Sequence, residues 1–395
     1  MVPLTSLATV SAAAWAYLLF GRGRFWLTSH RLPADPPAPE GWPSVGVVVP
    51  ARDEAAMLPE TLPSLLRQDY PGELRVWVVD DASGDGTADV ARSVAGRAAE
   101  RVACTVLAAP SCPPTWTGKL NALQRGVEAA GAAGAELLLF TDADITHDRS
   151  SVRRLVATAL AADYDLVSLM ARLRTQNGWE RALVPAFVYF FAQLYPFRRV
   201  SRPGCRTAAA AGGCVLIRRT ALERAGGLRR IGSDLIDDVA LGRLLKRAGA
   251  RTWLGFTGEP PEVRSVRPYP GLTDLWGMVT RTAYTQLRQS PALLVGTIAG
   301  LALVYLVPPV AGVAGVVTRS PVPAAAGLGG WVAMALTQAP VLRLYGLSPL
   351  RGFGLPAVAA MYAAMTVDSA RRHARGRESA WKGRVAGLDG AVTTR

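Results

Sequence analysis

At 395 residues the chain has room for one large domain with additions, or for two domains. Half of it is hydrophobic and the mean hydropathy is +0.19, high for a wholly soluble enzyme and low for a pure transporter. A formal net charge of +14 calls for an anionic partner. Basic runs interleaved with aromatics, the mark of nucleic-acid binding, are missing, and the basic residues crowd beside apolar segments as they do at a membrane surface. Cys104, Cys112, Cys205 and Cys214 are scattered without a C-x-x-C pair. That argues against structural zinc and against a disulfide framework, and for small buried side chains in a reducing compartment.

Residues 4–20 are apolar and are followed by Arg22, Arg24, His30 and Arg31. The charge comes after the apolar run, which predicts an uncleaved membrane anchor over residues 1–24 with its C-terminal end in the cytoplasm, rather than a cleaved signal peptide. Residues 25–43, with "LPADPPAPEGWP", read as a proline-rich linker.

From residue 44 the pattern alternates. "SVGVVVP", "ELRVWVVDD", "ACTVLAA" and "AELLLFTD" read as buried strands. "ETLPSLLRQ" (despite Pro63), "TADVARSVAGRAAER" and "GKLNALQRGVEAA" read as the helices between them. Continuous apolar strands alternating with helices predict an α/β domain over residues 44–290, its mostly parallel sheet covered by helices on both faces.

Beyond Pro291 three segments approach spanning length, at 292–317, 322–342 and 352–367, and none carries a carboxylate before Asp368. A basic tail, residues 369–395, includes "RRHARGRESAWKGR". Three full crossings after a cytoplasmic domain would leave that tail outside, against the positive-inside bias. One segment, the one holding Pro308 and Pro309, is therefore expected to be a re-entrant hairpin or an interfacial helix.

The carboxylates mark the chemistry. In a doubly wound sheet ligands bind beyond the carboxyl ends of the strands. "ELLLFTDAD" ends a strand in Asp142 and Asp144, a spacing that lets two carboxylates share a hard divalent cation, although a solvated turn has the same look. "VVDDASGDGT" ends another strand in Asp80 and Asp81, able to accept a hydrogen bond from a base or ribose, or only to cap the next helix. Asp237 and Asp238 open the helix "IDDVALGRLLKRAG", where dipole compensation is the plainer role. Lys119, at the head of "GKLNAL", could reach a phosphate or simply face solvent.

In order, "VVVPARDEA", "VVDDASGDGT", "GKLNAL", "FTDAD", "AAAAGGCVLIRRTAL" and "IDDVALGRLLKRAG" resemble family 2 glycosyltransferases of the GT-A fold, from about residue 45 to 288. "SVRPYPG", "RTAYTQLRQS", the late apolar segments and "WKGR" resemble the membrane-bound hopene-associated members. The resemblance implies that Asp81, with Asp80, contacts the nucleotide base, and that Asp142 and Asp144 hold Mg2+ or Mn2+ on a sugar-nucleotide diphosphate, a UDP-sugar. It implies Lys119 and Arg281 on the diphosphate, and Asp238 as general base with Asp237 beside it. Gly212 and Gly213 would lie in a small-residue loop near the acceptor. The processive Q-x-x-R-W is replaced by "MVTRTAY", which keeps an arginine, Arg281, and loses the glutamine and tryptophan. That implies transfer of one sugar to a lipid of hopanoid, carotenoid or other polyprenoid type, by a multi-pass protein of the cell (inner) membrane with a cytoplasmic catalytic domain. A silent GT-A binding module and a nucleotidyltransferase are the competing readings. Neither needs Asp142, Asp144 and Asp238 together.

Overall fold

The structure, a computed structural model, describes residues 2–98 and 102–376. The chain divides into two units. Among the described residues, one comprises His30–Arg174 and Phe197–Pro268; the other takes the N-terminal residues through Ser29, Thr175–Pro196 and residues 269–376. The expected boundaries at residues 44 and 290 are thus not where the units part. Residues 175–196 and 269–290 pack with the apolar helices instead.

Among the described residues the first unit has nine strands: β1 (Val45–Ala51), β2 (Leu74–Asp80), β3 (Ala103–Ala108), β4 (Leu137–Thr141), β5 (Ile145–His147), β6 (Leu166–Met170), β7 (Cys214–Arg218), β8 (Thr252–Phe256) and β9 (Val263–Ser265). Seven form one sheet in the order β3-β2-β1-β4-β7-β6-β8, and β5 pairs with β9 apart from it. β3, β2, β1 and β4 are mutually parallel, with Val48 between Trp77 and Phe140. Every residue of β1 and of β4 is buried, as the unbroken apolar runs require of a sheet covered on both faces. The parallel strands end on one edge, so Asp80 and Asp142 emerge there together. β7 runs antiparallel to both β4 and β6. The stretch "CVLIR", read with the small-residue loop, is therefore a strand, and the loop stops at Gly213.

Among the described residues the second unit holds four helices long and apolar enough to cross a membrane: Leu4–Gly21, Pro291–Val317, Pro321–Leu344 and Pro349–Ala374. Among the described residues every exposed large apolar side chain belongs to this unit, Phe20, Val295, Val317 and Leu350 among them. Exposed apolar side chains gathered in one unit suit an interaction with lipid or protein.

Pro291–Val317 is a single helix, which corrects the expectation of a hairpin at Pro308–Pro309. Prolines have no N–H, so Pro308 leaves the Val304 carbonyl without its helical donor. The helix widens into a π-turn at Ala302–Leu306. Trp15 Nε1 donates to the Val304 carbonyl at 2.7 Å, and Ser11 Oγ donates to that of Leu303 at 2.7 Å. Backbone groups inside hydrocarbon need such partners. Trp15→Phe keeps most of the ring and removes the donor, so it should cost about 1–3 kcal/mol of stability. Thermal unfolding in detergent checks this; an unchanged midpoint would mean that the carbonyl is served otherwise.

The next helix, Pro321–Leu344, turns back against Pro291–Val317. A Cβ on Gly327 would lie 2.2 Å from the Gly312 nitrogen, and one on Gly315 would lie 2.3 Å from the Ala324 nitrogen. Glycine here lets two backbones touch, the usual way helices associate in lipid.

Candidate active site

Three segments distant in sequence meet at the sheet edge of the first unit. The first is the end of β4. Its chain turns at Asp142, where the Ile145 N–H donates to the Asp142 carbonyl at 3.1 Å, and this presents Asp142 and Asp144. The second is the head of the helix Gly118–Ala132. Thr117 caps it, its Oγ1 accepting the Leu120 N–H at 3.3 Å, and Lys119 projects from the first turn. The third is the head of the helix Asp237–Arg247, whose first two residues are Asp237 and Asp238.

Lys119 Nζ lies 2.8 Å from Asp142 Oδ1 and 3.1 Å from Asp237 Oδ2. Burial alone would lower the Lys119 pKa, but the charges of Asp142 and Asp237 outweigh it and raise it, so the ammonium is secure. Burial pushes the Asp142 carboxyl up, Lys119 opposes this, and the charge on Asp144 adds to it. Asp238 is gripped by backbone: Gly212 N–H donates to Oδ2 at 2.9 Å and Val239 N–H to Oδ1 at 2.7 Å. Burial, and then the Asp237 charge, push the Asp238 carboxyl up to about 7. A recess is lined by Lys119, Asp142, Gly212, Asp237 and Asp238. A Cβ on Gly212 would lie 3.4 Å from Asp238 Oδ2, at ordinary contact distance.

A second layer stands behind these groups. Asp144 Oδ2 accepts a hydrogen bond from Ser265 Oγ at 2.6 Å and pairs with Arg267 Nε at 3.3 Å. Arg267 also reaches Glu54 Oε1 at 2.6 Å. The "ARDEA" loop after β1 is stitched to the turn after β2. Arg52 Nη1 donates to the Asp81 carbonyl at 2.8 Å and to its Oδ2 at 3.2 Å, and Gly84 N–H donates to Asp53 Oδ1 at 2.9 Å. Asp81 is buried, whereas half-buried Asp80 accepts the Ser83 hydroxyl.

The sequence-predicted residues Lys119, Asp142, Gly212, Asp237 and Asp238 thus share one recess. Asp144 lies at its flank beside Asp142, and Asp80 and Asp81 end the neighbouring β2. Gly213 follows Gly212, and a Cβ there would lie 3.2 Å from Ile145 Cδ1. Arg281 is exposed at the C-cap of Leu272–Thr280, in the other unit. Arg267, Glu54 and Arg52 were not anticipated. Their only signal was the pair of quoted stretches "VVVPARDEA" and "SVRPYPG", which carry no spacing rule of their own.

No group of three or more His, Cys, Asp or Glu side chains converges on one point among the described residues. Two carboxylates suffice for Mg2+ or Mn2+, which keeps water and takes substrate phosphate as its other ligands. Lys119 on Asp142 and Arg267 on Asp144 are positive groups where a cation would sit, and hard oxygen donors of this kind fit the metal.

The fold is GT-A. It is similar to that of a mannosyltransferase from Pyrobaculum calidifontis, solved with GDP-Man and Mn2+, at a TM-score of 0.57 over 95% of this chain and 100% of that one, with 22% identity. A family model described as "Glycosyltransferase like family 2" matches residues 43–277, more than half of the chain. The chain belongs to glycosyltransferase family 2. An N-acetylglucosaminyltransferase of Rhizobium meliloti (strain 1021) is 30% identical over 229 residues, 55% of this chain and 51% of the relative. One from Rhizobium leguminosarum bv. viciae is 38% identical over 105 residues, 26% of this chain and 22% of the relative. The chain therefore spans about half, or less, of the length of these curated relatives.

Proposed function

We propose that this protein is an inverting glycosyltransferase that moves one sugar from a nucleotide-diphosphate sugar to the hydroxyl of a membrane lipid. The observation that carries the reading is the convergence of Asp142, Lys119 and Asp238 in one recess at the sheet edge. Asp238 takes the proton of the acceptor hydroxyl as that oxygen attacks the anomeric carbon. The bond from that carbon to the diphosphate breaks on the opposite face. A base whose pKa lies near 7 is matched to this work at neutral pH. Asp142 and Asp144 would hold a divalent cation, which when bound would supply charge neutralisation for the departing nucleoside diphosphate. Lys119 turns from the carboxylates to the phosphates, and Asp80 and Asp81 hold the base and ribose. Mn2+-dependent hydrolysis of UDP- or GDP-sugars by the purified chain tests this. A protein that binds sugar nucleotides but never breaks them is a silent module, and one that makes them from a sugar phosphate is a nucleotidyltransferase.

A lipid acceptor of hopanoid, carotenoid or other polyprenoid type is supported by the apolar surface of the second unit. The cytoplasmic face of the cell membrane is supported by Arg22 and Arg24 directly after the first apolar helix. The arrangement inside this unit supports two crossings after residue 290. Pro291–Val317 and Pro321–Leu344 form an antiparallel pair, so the Pro291 end lies on the same side as the Leu344 end. The chain then folds back along the second helix: Trp331 Nε1 donates to the Phe353 carbonyl at 3.0 Å. Pro349–Ala374 ends beside the segment that precedes Pro291. Trp276 Nε1 donates to Asp368 Oδ2 at 2.8 Å, and Tyr284 N–H donates to Ser369 Oγ at 3.1 Å. Trp331 lies midway along its helix, so the last segment begins part-way in and returns to the side it left; it, rather than the helix with Pro308, takes the re-entrant role.

The tail, most of it outside the described residues, then lies in the cytoplasm. Arg371, Arg372 and Arg375 begin it, and an anionic leaflet attracts each by roughly 1 kcal/mol. A fluorescent reporter that matures only in the cytoplasm, fused after Arg395, should light up; activity from an exterior-only enzyme reporter at that site would reverse the topology.

A further inference from the structure

Thr141 and His147 were not marked by the sequence, and the chemistry above does not use them. Both are buried. Thr141 Oγ1 donates to the Gly213 carbonyl at 2.9 Å and lies 2.8 Å from His147 Nε2. A hydroxyl has one hydrogen, so if Thr141 gives it to Gly213, the imidazole must be the donor at Nε2. Burial holds the His147 pKa down at about 3, so the ring is neutral and carries a single N–H. Its Nδ1 is then an acceptor, 3.3 Å from Ser151 Oγ. Gln68 closes the chain. Its Oε1 accepts the Val152 N–H at 3.1 Å, and its Nε2 donates to the carbonyls of Ser64 and Asp148, at 2.8 Å each. Ser151 Oγ also lies 3.2 Å from Gln68 Oε1, an acceptor, so its single hydrogen serves either that oxygen or Nδ1. At its other end the row reaches the loop that holds Asp238.

That loop has little else to fix it. Residues 208–213 are alanine and glycine, with no side chain long enough to anchor them. Ser168 Oγ ties Ala211, accepting its N–H at 2.9 Å and donating to its carbonyl at 3.2 Å. Thr141 ties Gly213. Between these two anchors lies Gly212, whose N–H donates to Asp238 Oδ2. Thr141 also precedes Asp142 directly, so one hydroxyl joins the strand of the metal carboxylates to the loop of the base.

We propose that Thr141, with its proton directed by His147, is a positioning residue that sets Asp238 relative to the Asp142–Asp144 pair by pinning the Gly213 carbonyl. The proposal rests on the reading of Asp238 as the base. Misplacement of a reacting group by a fraction of the length of a bond costs much in rate and little in ground-state binding.

The test uses the full chain in lipid nanodiscs and the variants Thr141→Val, Thr141→Ser, His147→Gln and Asp238→Asn. Hydrogen–deuterium exchange is read on peptides covering 208–216, Mn2+ affinity by electron paramagnetic resonance, and kcat and KM by hydrolysis of UDP-glucose or GDP-mannose. Thr141→Val, equal in shape but without the hydroxyl, should speed exchange in 208–216 about tenfold. It should lower kcat roughly 10- to 100-fold, with KM and Mn2+ affinity within about twofold of wild type. Thr141→Ser and His147→Gln keep a hydroxyl and an N–H donor and should restore both readouts. Unchanged exchange in Thr141→Val overturns the proposal, even where hydrolysis is too slow to measure. So does a loss of Mn2+ affinity in step with kcat, or a failure of Thr141→Ser to rescue. Full turnover in Asp238→Asn defeats the reading of the base instead, whatever Thr141 does.

Discussion

Asn in place of Asp142 or of Asp144 is expected to lower turnover roughly 100-fold or more, since several kcal/mol of charge stabilisation on the leaving diphosphate depend on the pair. The two variants should differ in detail. Asp142 faces Lys119, so its replacement leaves the ammonium on Asp237 alone, at 3.1 Å. Asp144 is braced by Ser265 and Arg267, and its replacement also frees Arg267 toward Glu54. Apparent Mn2+ affinity, read by titrating activity against metal, should fall in both variants by about tenfold or more. Near-normal turnover at saturating Mg2+ or Mn2+ in either variant would reduce the pair to a turn at the end of a strand.

Asp238→Asn is expected to lower transfer by roughly 10² to 10⁴, the usual contribution of a general base, and to leave donor affinity within about twofold. The wild type should show an acid limb with its midpoint near, or somewhat below, about 7. The sign follows from the chemistry. Burial and Asp237 favour the protonated carboxyl, which cannot accept a proton, so the rate is lost as pH falls through that pKa. Lys119 and a bound cation favour the ionised form and draw the midpoint down. The residual rate of Asp238→Asn should lack this limb. If donor binding fell as steeply as turnover, Asp238 would be a structural residue holding Gly212, and the base would lie elsewhere.

The parallel half of the sheet was legible because a strand buried on both faces has to be apolar without interruption. "VGVVVPA" and "LLLFT" say so within single windows. β7 was harder. "CVLIR" is five residues following a run of alanine and glycine, and its antiparallel place between β4 and β6 depends on partners 47 to 81 residues away in the chain. The helix Gly178–Leu194 was hidden for a similar reason. Its apolar character suits a soluble core as well as the second unit, and only packing separates them: the Tyr189 hydroxyl lies 2.8 Å from Thr337 Oγ1, on the helix Pro321–Leu344. At the site, residue types were readable and distances were not. Nothing in spacing tells that Lys119 reaches Asp142 and Asp237, 23 and 118 positions further on. Arg267 and Thr141 lie inside the quoted stretches "SVRPYPG" and "FTDAD", but nothing there marks their side chains, since their roles exist only after the strand edge has assembled. Pro308 was read rightly as a defect in a helix and wrongly as a break. The remedy, an indole from the first helix, lies some 290 residues away.

Lipid extraction tests most directly the proposed transfer of a sugar onto a lipid at the recess of Asp142, Lys119 and Asp238. Membranes from cells making the wild-type chain, and from cells making Asp238→Asn, can be fed a radiolabelled nucleotide sugar with Mn2+ and then extracted into chloroform–methanol. Label that enters the organic phase with the wild type, and stays in the aqueous phase with Asp238→Asn, is the predicted result. Equal lipid labelling by the two, or release of free sugar with none in the organic phase under any donor, would contradict it.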